Sequence, residues 1–86
     1  MWFYVYVLKL YNRNQYYVGY TSDLKRRINE HLLNQVHSTK SMDKKPELIF
    51  YEAYRSKIDA MRRERYLKST KGKRVIRQML IDTLKE

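Results

Sequence analysis

The sequence predicts a mixed α/β domain of the α+β type: a three-stranded, mainly antiparallel sheet flanked by helices, in the order β-β-α-β-α-α. Three observations carry this. Residues 3–10 and 16–20 are short runs of aromatic and β-branched residues, with a polar segment of hairpin length between them. A third run of the same kind occupies residues 47–54. Between and after these runs, apolar residues recur every three or four positions, the spacing of a helix with one buried face.

Each element has a local reason. Residues 3–10 include Tyr4, Val5, Tyr6 and Val7 and read as a buried strand. Tyr11-Asn12-Arg13-Asn14-Gln15 suits a hairpin loop, because Asn tolerates positive φ. Residues 16–20 are the returning strand. Thr21-Ser22-Asp23 supplies hydroxyls and a carboxylate for a helix N-cap, and Leu24, Ile28 and Leu32 extend that helix to about residue 33. Residues 35–45 are polar and read as a loop that Pro46 ends before the third strand. Ser56 with Asp59 resembles a capping box, so a helix is expected from residue 57 to about 70. Lys71-Gly72-Lys73 is expected to interrupt it, with a last helix over residues 75–84.

Composition narrows the function. The 86 residues suit one small domain, 1–86, with 43% hydrophobic residues and a core large enough for only a few kcal/mol of stability. No second, DNA-binding domain is expected. There is no Cys, which rules out a disulfide scaffold, a thiolate zinc site and a Cys nucleophile. No apolar run approaches the roughly 18 residues of a membrane span, and no signal segment opens the chain, so a cytoplasmic, non-membrane protein acting as a monomer is expected. The net charge is +10, and residues 55–77 hold ten bases against two acids, or +8 of it. A segment this one-sided points to a polyanion, nucleic acid being the commonest. A solvated surface that keeps the protein soluble is the alternative.

Polar residues also fall where apolar ones belong. In the first helix His31 projects into the Leu24–Ile28–Leu32 arc, with Arg27 at its edge one turn earlier. In the second, Ala60, Met61 and Leu67 mark one face and Glu64 projects among them. A carboxylate on an inward face must be protonated, paired or bound to a cation. Arg27 and Lys68 are its candidate ion-pair partners, and a metal ion is the other reading. His31 is either a hydrogen-bonded core histidine or part of a site. The tyrosines are either core or chemistry.

These residues carry a resemblance. Tyr4-Val5-Tyr6 and Tyr17-Val18-Gly19 resemble the paired tripeptides of the GIY-YIG nuclease superfamily. Arg27, ten residues after Tyr17, stands at the place of that family's helix arginine, and His31 at its Tyr or His position. Glu64, within Ala60-Met61-Arg62-Arg63-Glu64-Arg65-Tyr66-Leu67-Lys68, matches its metal-binding glutamate. The likeness covers the whole chain and is nearest to the small stand-alone members labelled excinuclease-like or endonuclease-like. Two positions depart: Tyr4 stands where the family name has Gly, and Tyr20 where the excision-repair enzymes have Lys.

The resemblance implies a GIY-YIG-like fold and metal-assisted hydrolysis of phosphodiester bonds in duplex or branched DNA, linked to repair or recombination. Glu64 would hold Mg²⁺ or Mn²⁺. Arg27 would meet the growing phosphate charge. Tyr17 takes the place of the proposed general base, with Tyr6 beside it and His31 able to bond the water, bond Tyr6 or shuttle a proton. Gly19 would let a phosphate approach the backbone. Lys40, Arg62, Arg63, Lys68, Lys71 and Lys73 would hold phosphates without reading bases. RNA stays open as a substrate, and a non-catalytic basic module that only binds nucleic acid is the competing expectation.

Overall fold

The computed structural model of the chain describes residues 1–10, 15–33 and 46–85. The expected hairpin loop, the loop over residues 35–45 and Lys40 within it lie outside them, apart from Gln15. The elements are β1 (Phe3–Leu10), β2 (Gln15–Thr21), α1 (Leu24–Leu32), β3 (Glu47–Tyr54), α2 (Lys57–Lys68) and α3 (Thr70–Met79), then a 3₁₀ turn at Thr83–Lys85. The sheet order is β2-β1-β3, with both pairings antiparallel.

β1 is central and both of its faces are covered, which explains its nearly unbroken apolar sequence. Alternate side chains go to opposite faces. Val5 and Val7, with Val18 of β2, meet Ala60 and Leu67 of α2 and Ile76 of α3. Tyr6, Leu8 and Leu10 form a second cluster on the other face with Tyr17, Leu24 and Ile28. A bulge adjusts β3: Val7 pairs Phe50 but Leu8 pairs Leu48, so Ile49 is the extra residue. The shift puts Leu48 on the α1 face, in the second cluster.

The termini of α1 and α2 follow the expected caps. Asp23 Oδ1 accepts from the Arg26 N–H at 3.2 Å, and the Thr21 hydroxyl accepts from the Asp23 N–H at 3.0 Å. Ser56 caps α2 by accepting from the Asp59 N–H at 3.3 Å. The break between the last two helices differs from expectation. It falls at Ser69, not at Gly72. The Ser69 hydroxyl donates to the Tyr66 carbonyl at 2.6 Å and accepts from the Gly72 N–H at 3.1 Å, closing one helix and opening the next. Gly72 lies inside α3, where a Cβ would strike the Tyr66 carbonyl and the Leu67 backbone. The glycine is there for close helix packing. The last helix also stops at Met79, short of residue 84.

Candidate active site

The site is built on the face of the sheet that α1 covers. β1 contributes Tyr6, β2 contributes Tyr17 and Gly19, and α1 contributes Arg27 and His31 one turn apart. Tyr6 lies opposite Gly19 in the ladder. It is 1% exposed, and the Tyr6 hydroxyl lies 3.0 Å from His31 Nε2. The Arg27 guanidinium is close enough to the same phenol to lower its pKa. The three rings pack closely: the Tyr17 and His31 centroids are 5.1 Å apart and edge-on, Tyr6 and His31 5.7 Å, and Tyr6 and Tyr17 6.3 Å.

Burial sets the protonation of the pair. His31 is fully buried, and desolvation, with the Arg27 charge, pushes its pKa down to about 4. It is neutral at physiological pH, so Nε2 either accepts from the Tyr6 hydroxyl or donates to it, according to the tautomer. Burial pushes the Tyr6 phenol up to about 12, against the lowering effect of Arg27. The Tyr17 and Glu64 charges act in the same direction as burial. Of the contacts open to His31 in the sequence, the bond to Tyr6 is the one present, and both shifts disfavour moving the proton from phenol to imidazole.

Glu64 sits on α2 and its carboxylate is felt at Tyr6. The expected inward face is only partly real. Ala60 and Leu67 are buried but Met61 is exposed, and the Glu64 side chain keeps 21% of its surface in solvent. Of the two expected ion-pair partners, the structure uses Lys68, at 3.2 Å one helical turn on. Arg27 instead pairs with Glu30 at 3.1 Å. Glu30 went unnoticed in the sequence, although its i,i+3 spacing from Arg27 is the signal that finds it.

The phosphate-holding residues divide. Gly19 is buried and the space above its Cα is filled by the Tyr6 ring, so the glycine makes room for a phenol. Arg63 gives two N–H groups to Glu52, at 2.9 and 3.2 Å, and lies 5.6 Å from the Tyr66 ring centroid. Glu52 also accepts from the Tyr54 hydroxyl at 2.7 Å. Arg63 is thus a clamp between α2 and β3, an element pairing that charge counting does not reveal. Arg62 pairs with Asp59 at 3.0 Å. Lys71 and Lys73 are exposed on α3.

Comparison with known proteins follows this geometry. A family model described as the GIY-YIG catalytic domain matches residues 2–77. Among solved structures, the chain is similar to the UPF0213 protein BH0048 from Bacillus halodurans, determined by NMR in solution. The two share 31% identity over 92% of this chain and 85% of the other, with a TM-score of 0.58. No curated protein matches the sequence.

Proposed function

The chain belongs to the GIY-YIG catalytic-domain family, and from that premise we propose that it is a divalent-metal-dependent endonuclease hydrolysing DNA phosphodiester bonds. The supporting observation is the convergence on one buried phenol, Tyr6, of His31, Arg27 and Tyr17, with the Glu64 charge within reach.

The donor set fits a hard cation that keeps most of its own waters. Among the described residues no group of three His, Cys, Asp or Glu forms a ready cage. Mg²⁺ commonly uses one or two carboxylates, with waters and a substrate phosphate completing its shell. Glu64 supplies such an oxygen, part-exposed, beside a Lys68 whose exposed ion pair is weak enough to exchange. The ion, when bound, polarises the phosphoryl oxygen and eases ionisation of a water.

The chain's own groups do the positioning. Arg27 has five N–H donors and gives one to Glu30, which leaves others for a phosphate that gains charge in the transition state. Tyr17, packed edge-on against His31, orients the attacking water from the neighbouring strand. Tyr6 stays protonated and acts as a fixed strut between His31 and Arg27 rather than as a base.

The test is nicking of supercoiled plasmid with Mg²⁺ or Mn²⁺, followed by flap, fork and junction DNAs to examine structure-specific cleavage in repair or recombination. Glu64→Ala is expected to cut the rate on the order of a hundredfold or more, the scale of losing one transition-state stabiliser. Nicking that survives Glu64→Ala would mark a contaminant and refute the reading. Tight DNA binding with no nicking by wild type would leave the non-catalytic module.

A further inference from the structure

The cations of the basic segment are not equivalent. On α2, three of the five cations, Arg62, Arg63 and Lys68, have a carboxylate partner, while Lys57 and Arg65 have none among the described residues. On α3, Lys71, Lys73, Arg74 and Arg77 have none among the described residues, and the helix contains no acid. The positive charge left available to a partner therefore belongs to α3 more than to α2.

Two of these cations line a groove. Gly72 and Ile76 bury one side of α3, and at 100° per residue Lys73 and Arg77 fall together on the flank of that buried arc. There they face the free edge strand β2 across a depression of about 330 Å³, bounded by Gln15, Tyr16, Val18, Lys73, Ile76 and Arg77. Its lining brings together Val18 and Ile76, the Tyr16 side chain and the two charges of Lys73 and Arg77. The groove shares β2 with the candidate active site: Tyr16 and Tyr17 are consecutive and point to opposite sides of it, so the two lie on opposite faces of one edge strand.

We propose that the groove between β2 and α3 is a DNA-backbone docking site, in which Lys73 and Arg77 bind phosphates and Tyr16 packs against the strand beside the reacting phosphodiester. The assignment of DNA as occupant rests on the nuclease reading above. The polyanionic character of the occupant rests only on the unpaired cations. An acidic peptide would satisfy two charges as well, but nothing in such a partner would continue around the edge of β2 to Tyr17 and Arg27.

The experiment measures binding of a fluorescein-labelled DNA duplex to the full chain by anisotropy, in EDTA, over a range of salt concentrations. Each phosphate contact contributes about 0.9 to the slope of log K against log salt. The Lys73→Gln, Arg77→Gln double variant should lower that slope by about 1.8 and weaken binding tenfold or more at moderate salt. Lys57→Gln with Lys85→Gln removes the same charge elsewhere and should leave the slope within about 0.5 of wild type, because long-range charge alone is screened. Arg77→Glu is an independent probe and should weaken binding further. Unchanged affinity in the groove variants overturns the proposal, and so does an equal loss in the charge-matched control. Tighter binding of a duplex RNA of the same sequence, or displacement of DNA by polyglutamate at equal charge, overturns DNA as the occupant. Cleavage does not enter this readout. Groove-dependent binding by a protein that never nicks DNA sinks the nuclease reading alone, and nicking without groove dependence sinks only the groove.

Discussion

Adding a single methyl group at Gly19 should dismantle the candidate site from beneath. A Cβ at this position would overlap Cζ and the hydroxyl oxygen of Tyr6. Gly19 is needed for space, directly across the ladder from that ring. The phenol cannot step aside easily, because it is bonded to His31 at 3.0 Å and packed against Tyr17. Overpacking costs about 1–3 kcal/mol. Breaking the buried Tyr6–His31 bond adds about 1–3 kcal/mol. The lower chain entropy of Ala returns about 0.5–1 kcal/mol. Gly19→Ala should therefore destabilise the fold by about 1–5 kcal/mol, measured by urea denaturation, and lower Tm by roughly 4–8 °C for each kcal/mol in a domain of this size. The His31 ring resonances should move in the folded state. A double-mutant cycle isolates the cause: in a Tyr6→Leu background the penalty for Gly19→Ala should fall below about 1 kcal/mol. A loss under about 0.5 kcal/mol with unmoved His31 signals would refute the reasoning, as would an undiminished penalty in the Tyr6→Leu background.

Gly72→Ala should destabilise by about 3 kcal/mol or more, although Gly→Ala within a helix ordinarily stabilises by about 1 kcal/mol, because the new Cβ meets the α2 backbone, which cannot rotate away. A thermal melt that rises would refute this. His31 gives a pH dependence of known sign. Its folded-state pKa of about 4 lies below the ordinary 6.5, so the unfolded chain binds the extra proton between those values. The stability from keeping it neutral is fully present above pH about 6.5 and is lost as pH falls toward about 4, by up to about 3 kcal/mol. Urea titrations of wild type and His31→Gln should converge by that amount over this window, and parallel curves would show that His31 does not titrate there.

Much of the architecture was legible in local sequence. Residues 3–10 and 47–54 are strands with the expected limits, because β-branched and aromatic runs between polar breaks have few other solutions. Asp23 and Ser56 cap their helices because a side-chain oxygen before an amphipathic run satisfies otherwise unpaired N–H groups. Local rules misjudged Gly72. A glycine flanked by lysines reads as a helix breaker when only propensity is counted, whereas its role is set by the α2 backbone lying against it. Met61 likewise keeps the periodicity of the buried face yet is 41% exposed, because periodicity does not say how far a neighbouring element extends over a helix.

The candidate site divides along the same line. Burial of His31 beside Arg27 follows from helical spacing alone, a one-dimensional period that needs no knowledge of partners. What spacing cannot supply is which groups meet across elements. The bond from Tyr6 to His31 spans 25 positions in the chain, and the Arg63–Glu52 clamp spans 11. The total of basic residues could be counted in advance. That Arg62, Arg63 and Lys68 of α2 are held by carboxylates while every cation of α3 is left open depends on which acids the fold brings within about 4 Å, where an ion pair forms. Period and capping are properties of a segment and its neighbours in the chain, whereas pairing and close approach arise only when separate segments pack.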